Sequence, residues 1–174
     1  MSSHQPNTED IYSLMGAALC YLQSVEKVLR FVTTFVIQDG ESLNLEKLQS
    51  LEKKESKKAL GYFMARLRKR ADLFPAFDEL LESFLKNRND FIHNHDSITG
   101  WDLNSEQGRI VAHHFTSELL SQAHKINEVF IALIMRWQKD AGMEPPKEQE
   151  HSFFQNIETQ YGHLIDTLFI GKET

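Results

Sequence analysis

The sequence predicts an all-α protein, an up-and-down bundle of four to five helices. Apolar residues recur every three or four positions along most of the 174 residues, which is the period of a helix with one buried face. No run of residues shows the alternation of apolar and polar side chains that is typical of a half-buried strand. The four prolines and eight glycines are too few for a long linker or a low-complexity chain.

The N-terminal half is expected to form two helices. The first spans roughly residues 8 to 38 and stops at Gly40, a residue type that commonly ends a helix. Residues 41–54 fit either a short helix or an ordered loop. The second helix covers roughly residues 55 to 72 and ends before Pro75, which cannot continue it.

Two further long helices are expected after this break. The third begins near Pro75 and ends in the turn-rich loop 94–100. The fourth begins near residue 104 and ends at Gly142, and its length means that it is kinked or projects from the bundle.

The chain is long enough to bury one sizeable core and is expected to form a single domain. Residues 1–143 make up the helical domain. Pro145 and Pro146 break the chain after it. Residues 144–174 are then a linker and an amphipathic helix that packs on the same domain.

Charge is unevenly distributed along the sequence. The net charge of −6 and the pI near 5.7 argue against a protein that coats nucleic acid without specificity. Residues 53–70 nevertheless contain eight basic side chains and one acidic side chain, Glu55. This segment is either a solvated helix face or an electropositive strip on an acidic body.

The sequence gives no sign of secretion or of membrane insertion. The single cysteine, Cys20, lies among apolar neighbours and is expected to be a buried thiol. The N-terminal residues lack the basic and apolar stretches of a signal peptide. The longest apolar run, Val129–Met135, is too short to span a bilayer. We therefore expect a cytoplasmic protein that has no membrane contact.

One charged residue interrupts the apolar stripe of the third predicted helix. Arg88 follows Phe77, Leu81 and Phe84 at spacings of four, three and four residues. Because an unpaired buried guanidinium is strongly unfavourable, Arg88 needs an anion or a subunit interface. A symmetric dimer would bring two copies of this helix together and double the set of polar groups in one cleft.

Arg88 begins the segment Arg88-Asn89-Asp90-Phe91-Ile92-His93. On a regular helix Arg88 and His93 lie about 140° apart, whereas Asn89 and His93 share a face. The residue types suit RNA cleavage without metal, since histidine serves as acid or base and a guanidinium holds phosphate oxygens. The alternative is structural: Arg88 and His93 pair with acidic residues of neighbouring helices.

In an all-α chain, Arg88-Asn89-x-x-x-His93 late in a helix resembles the signature of the HEPN superfamily. The helical layout of residues 8–140 and the segment Ala59-Leu60-Gly61 are also similar to that family. The resemblance implies a HEPN-like fold and a homodimeric, metal-independent endoribonuclease of toxin–antitoxin, antiviral-defence or RNA-processing systems. It implies that Arg88 and His93 are catalytic and that Asn89 supports them.

The same resemblance implies the partners. The substrate would be single-stranded RNA or transfer RNA. If the protein is a toxin, an antitoxin protein would regulate it. No cofactor is expected. The candidate RNA-binding residues of the basic segment are Lys57, Lys58, Arg66 and Lys69. The alternative is a non-catalytic HEPN protein that binds or regulates a partner, which the acidic net charge favours.

His95 departs from the pattern of one HEPN subgroup. That subgroup has a tyrosine two residues after the catalytic histidine, and an antitoxin modifies it; here the position is His95, so this mode of neutralisation is not expected. His93, His95 and the pair His113-His114 do not have the spacing of a known metal site, and we expect no metal ligands.

Overall fold

The computed structural model describes residues 6–37, 58–143 and 148–171, most of which are helical. The predicted all-α class is confirmed in these residues. The helices longer than two turns are α1 (Thr8–Phe31), α2 (Leu60–Arg70), α3 (Pro75–His93), α4 (Glu106–Asp140) and α5 (Glu148–Tyr161). The predictions that lie outside the described residues concern Gly40, residues 41–54, Lys57, Pro145 and Pro146.

The first helix is shorter than predicted. α1 ends at Phe31, and the chain continues into one π-helical turn, Val32–Val36. Thr33 is fully buried in this turn, and its Oγ1 donates to the carbonyl oxygens of Leu29 (2.9 Å) and Arg30 (3.1 Å). A hydroxyl that binds these carbonyls competes with the helical hydrogen bonds, which favours a widened turn.

A small antiparallel sheet accompanies the helices, although no run of the sequence shows the alternating period of a strand. β1 (Ala71–Leu73) pairs with β2 (Phe169–Gly171), and Ala71 lies opposite Gly171. β1 therefore begins where the second helix was predicted to continue. β1 ends two residues before Pro75 in the sequence. The residue directly before a proline, here Phe74, is biased toward extended backbone, which disfavours a helix that continues up to Pro75.

α3 and α4 have the limits that the sequence predicts to within a few residues. α3 begins at Pro75, whose missing N–H costs nothing in the first turn, and it ends at His93. α4 is 35 residues long, and Gly142 ends it with a φ of +67° and an N–H that donates to the carbonyl of Lys139. Across the described ranges, no helix combines the length and the apolarity needed to cross a membrane.

The described residues form two compact units, each made from two segments of the chain. Unit 1 comprises Met1–Val25 and Leu80–Ile126, and unit 2 comprises Glu26–Glu79 and Asn127–Thr174. α1, α3 and α4 therefore each contribute residues to both units. The predicted domain boundary after residue 143 stays a prediction.

Each unit has its own core of apolar side chains. The largest fully buried side chains of unit 1 are Ile11, Leu22, Leu81, Phe84, Leu119 and Ile126, and those of unit 2 are Leu29, Phe63, Met64, Leu67 and Phe130. In unit 2 the Phe77 ring lies 5.9 Å from the ring centroid of Phe130 and 5.4 Å from that of Phe169. These edge-on contacts connect α3, α4 and β2 within the unit.

A hydrogen bond attaches the C-terminal part of unit 2 to α4. The hydroxyl of Tyr161, at the end of α5, donates to Oε2 of Glu128 at 2.8 Å. Burial and the neighbouring carboxylate raise the pKa of Tyr161 to about 12. After α5 the chain forms a 3-10 turn and the short helix α6 (Ile165–Leu168), which leads into β2.

The prediction that Cys20 is buried is wrong. Ala18 and Leu22 are buried, whereas Cys20 between them is exposed. A residue two positions from a buried one is rotated by about 200° around a helix and therefore faces away from the core. The apolar neighbours of Cys20 in sequence are thus not its neighbours on the helix surface.

Candidate functional site

Arg88 lies on the buried stripe of α3, where the sequence predicts it. Phe84 and Phe91, about one turn before and after it, are 1% and 4% exposed, and Arg88 is half-buried between them. Its Nη1 donates to Oδ1 of Asn89 at 3.0 Å. The acceptor is a neutral amide, and this contact orients the guanidinium.

His93 is exposed at the last position of α3. The helix is α-helical through this residue, so Arg88 and His93 project about 140° apart, and Asn89 shares a face with His93. Asp90, the acidic residue of the motif, accepts a hydrogen bond from Nζ of Lys86 at 2.8 Å. The structure joins Arg88 to Asn89, and within the described residues no hydrogen bond joins His93 to either of them.

The flank of α3 beside Arg88 mixes apolar and polar side chains. Leu85 and Ile92 are half-buried and lie three residues before and four residues after Arg88. This spacing places all three on one side of the helix, next to Asn89. The flank therefore presents a guanidinium–amide pair between two partly exposed aliphatic side chains.

A polar layer fixes α3 against α4 on the other flank. Nδ2 of Asn87 donates to Oε1 of Gln122 (3.1 Å), and Nε2 of Gln122 donates to Oγ of Ser83 (3.1 Å). Gln122 is only 7% exposed, so both ends of its amide need these partners. By setting the rotation of α3, this layer determines the direction in which Arg88 and His93 project.

Sequence reasoning missed Gln122, although a signal was present. Gln122 lies three residues after Leu119 and four before Ile126, both of which are fully buried. A polar residue on such a stripe is the same anomaly that singled out Arg88.

Aromatic contacts hold the chain directly after His93. The ring of His95 stacks on Trp101, with centroids 5.2 Å apart and an interplanar angle of 27°, and it meets Phe91 edge-on at 5.9 Å. Trp101 in turn contacts Phe115 of α4 at 6.0 Å. His95 thus anchors the loop that follows His93, a role the sequence pattern does not reveal.

Two surface pockets in unit 1, which we call hollows, are lined in part by His114 of α4. One, of about 730 Å³, is lined by Asp10 and Leu14 of α1 and by His113. The other, of about 410 Å³, is lined by residues that include Asn87. His114 lines both hollows, whereas Arg88, Asn89 and His93 line neither.

Part of the basic segment has a structural role. Nε of Arg68 donates to Oδ1 of Asp78 at 2.7 Å. Nη1 of Arg70 donates to the carbonyl oxygens of Thr33 (2.7 Å) and Ile37 (2.8 Å), which belong to the π-helical turn and the residue after it. These two arginines therefore connect α2 to other parts of unit 2.

The other described cations of the segment are Lys58, Arg66 and Lys69. Lys58 and Lys69 are exposed, and Arg66 is half-buried. They lie in unit 2, whereas Arg88, Asn89 and His93 lie in unit 1. Lys57, the fourth candidate RNA contact, lies outside the described residues.

The comparisons with known proteins do not identify a family. Among the residues that the structure describes, no group of three or more His, Cys, Asp or Glu side chains could hold a metal ion. Scans against protein-family models, curated proteins and solved structures each found no match. No family is shown for this chain, and the resemblance of its α3 motif to the HEPN superfamily stays a prediction.

Proposed function

We propose that the protein is a HEPN-type, metal-independent endoribonuclease whose active site lies at a homodimer interface. The observation that carries this proposal is the Arg88–Asn89 pair, half-buried on α3 and followed by the exposed His93. A guanidinium held beside apolar side chains is suited to bind an anion, and an exposed histidine is suited to exchange protons.

The proposed reaction needs no redox or covalent enzyme intermediate. The ribose 2′-oxygen loses its proton and attacks the adjacent phosphorus, and the bond from phosphorus to the 5′-oxygen breaks as that oxygen gains a proton. His93 carries out one of these proton transfers. Arg88 binds the non-bridging oxygens while negative charge develops on them, and Asn89 orients Arg88. The products are a 2′,3′-cyclic phosphate and a 5′-hydroxyl.

The angular separation on α3 supports a composite site. Arg88 and His93 project about 140° apart from one helix, so a single copy of α3 does not direct both toward one phosphate. Two copies related by a two-fold axis would place Arg88 of one protomer opposite His93 of the other. Leu85 and Ile92, partly exposed beside Arg88, would then be covered by the partner.

The biological role is proposed from the resemblance to the family alone. The enzyme would act in the cytoplasm on single-stranded RNA or transfer RNA, as a toxin or an antiviral-defence effector. An antitoxin protein would hold such a toxin inactive.

The decisive experiment is cleavage of total RNA by the purified protein in EDTA. We expect His93→Ala to lower the cleavage rate by about 100-fold or more, the usual scale of general acid–base catalysis. Arg88→Ala is expected to do similar damage, and Arg88→Lys to restore little, because an ammonium cannot form the bidentate fork. His163→Ala is the matched control, since His163 is also exposed but lies in unit 2.

Circular dichroism of each variant separates loss of chemistry from loss of fold. A wild-type protein that cleaves no cellular RNA, or a His93→Ala variant that cleaves at the wild-type rate, overturns the proposal. In either case the non-catalytic, partner-binding alternative becomes the better interpretation.

A further inference from the structure

The outward side of α2 carries an aromatic ring between cations. The buried side chains of α2 are Leu60, Phe63, Met64 and Leu67. On the opposite side, at spacings of four, four and three residues, lies a set that we call the Tyr62 stripe: Lys58, Tyr62, Arg66 and Lys69. At helical spacing Tyr62, Arg66 and Lys69 follow one side of α2. Lys58 precedes the helix and reaches this side through its contact with the Tyr62 ring.

The ring of Tyr62 is both accessible and oriented. Tyr62 is 42% exposed. Its ring meets the buried Phe63 edge-on, with centroids 5.3 Å apart and an interplanar angle of 85°. Nζ of Lys58 lies 5.2 Å from the centroid of the same ring. A cation and an accessible π-surface therefore lie side by side.

The local charge of α2 is entirely positive. Residues 58–70 contain five basic side chains and no acidic one, in a chain of net charge −6. Arg68 and Arg70 bind Asp78 and backbone carbonyls, so they are committed to structure. Lys58 and Lys69 of the Tyr62 stripe are exposed, which fits an anionic partner.

We infer that the Tyr62 stripe binds a single-stranded segment of RNA. Tyr62 stacks on an unpaired base, and Lys58 and Lys69 contact phosphates on either side of it. A duplex hides the faces of its bases, so an exposed ring between cations is complementary to a single strand. This inference rests on the proposed ribonuclease function, for which it names a surface that binds the unpaired strand and Tyr62 as the residue that stacks on one base.

A membrane surface fits the stripe less well. An interfacial helix needs a broad apolar face directed outward, opposite or beside its cations. On α2 the apolar face is buried in the core, and the outward side offers Tyr62 as its one large apolar ring. Charge and aromatic content together therefore favour a nucleic-acid strand.

The test is equilibrium binding of a short single-stranded RNA in which every ribose carries a 2′-O-methyl group. This strand cannot be cleaved through its 2′-oxygen, and a 2-aminopurine base reports stacking by quenched fluorescence. We expect Tyr62→Ala to weaken binding about tenfold and to remove the quenching, the usual scale of base–aromatic stacking. Tyr62→Phe should bind like wild type, and Tyr12→Ala is the matched control because Tyr12 is 61% exposed on α1.

A second arm tests the cations. The affinity falls as salt rises, so the slope of log affinity against log salt is negative. The double variant Lys58→Gln/Lys69→Gln should make this slope less negative by about 1.4, or about 0.7 for each lost phosphate contact to a single strand. Lys27→Gln/Lys125→Gln removes two exposed lysines elsewhere and should leave the slope unchanged.

The outcomes separate this inference from the proposed activity. Normal binding and quenching by Tyr62→Ala overturn the Tyr62 stripe even if the wild type cleaves RNA. Equal affinity for the annealed duplex, or preference for phosphatidylserine vesicles over the strand, also overturns it. Conversely, the wild-type protein could bind RNA through the Tyr62 stripe and yet cleave no RNA. This result would support the RNA-binding surface and overturn the proposed catalytic activity.

Discussion

Gly108, in the first turn of α4, lies against the backbone of the preceding loop. A β-carbon at this position would overlap the carbonyl group of Asp102. That carbonyl cannot rotate away freely, because it accepts a hydrogen bond from Oγ of Ser105 (3.4 Å), whose oxygen in turn accepts the N–H of Gly108 (3.1 Å). The hydrogen bonds from Asn104 and Ser105 also lower the pKa of Asp102. The start of α4 thus requires glycine at one position.

Gly108→Ala is expected to destabilise the protein by about 1–3 kcal/mol, because the cost of overpacking exceeds the helix propensity that alanine adds. Gly16→Ala is the matched substitution, since no atom lies within 4 Å of a β-carbon at Gly16. It should stabilise by about 0.5–1 kcal/mol. Urea denaturation measures both, and a stabilising Gly108→Ala would contradict the tight contact.

Individual residues were predictable where the apolar stripe was clear. Arg88 interrupts a regular stripe, and the structure finds it half-buried there. The prediction for Cys20 is wrong because its apolar neighbours in sequence are not its neighbours on the helix surface. The stack of His95 on Trp101 depends on a loop conformation, which carries no periodic signal.

The attachment of α5 depends on a phenol that remains protonated. Burial and Glu128 raise the pKa of Tyr161 to about 12, so the folded protein holds this proton more tightly than the unfolded chain. The resulting stabilisation is complete below the unfolded pKa of 10.0 and is lost as the pH rises toward 12.

Tyr161→Phe is therefore expected to lose about 1 kcal/mol of stability at neutral pH, the net scale of one hydrogen bond. The variant should also lose less stability than wild type between pH 10 and 12. Thermal denaturation across this pH range checks both effects. Tyr12→Phe serves as the control. Because Tyr12 is exposed, this substitution should change neither the stability at neutral pH nor its loss between pH 10 and 12. If Tyr161→Phe has the same stability as wild type at every pH, Glu128 does not hold the phenol.

Elements with strong local signals were predicted well. Pro75 marks the start of α3, and Gly142 marks the end of α4 through its positive φ. The π-helical turn after Phe31 depends on a buried threonine hydroxyl, and β1 depends on a partner roughly a hundred residues away. Neither the π-helical turn nor β1 produces a regular spacing of apolar residues, so neither could be predicted from the local sequence pattern.

At the scale of the whole molecule, the proposed dimer makes a prediction that no single protomer can satisfy. If Arg88 of one protomer acts with His93 of its partner, mixing Arg88→Ala with His93→Ala produces heterodimers that contain one intact site. With random assortment, the mixture should recover about a quarter of the wild-type cleavage rate. Each variant alone should remain inactive.

The measurement is RNA cleavage after the two variants are mixed and allowed to exchange subunits. Sedimentation at micromolar concentration should show a dimer in both variants and in wild type. No recovery of activity from a mixture that demonstrably exchanges would place Arg88 and His93 in the same protomer's site. A monomer at all concentrations would remove the composite site altogether.

The pairing of β1 with β2 also sets an order of events during synthesis. Unit 2 contains Glu26–Glu79, yet β1 obtains its hydrogen-bonding partner only when Phe169–Gly171 has left the ribosome. At about 5–20 residues per second, roughly a hundred intervening residues mean a delay of roughly 5–20 s. During this interval the backbone of β1 must stay solvated or be shielded by another protein. A nascent chain arrested before residue 169 should therefore be cut by protease near β1, whereas the released chain should resist.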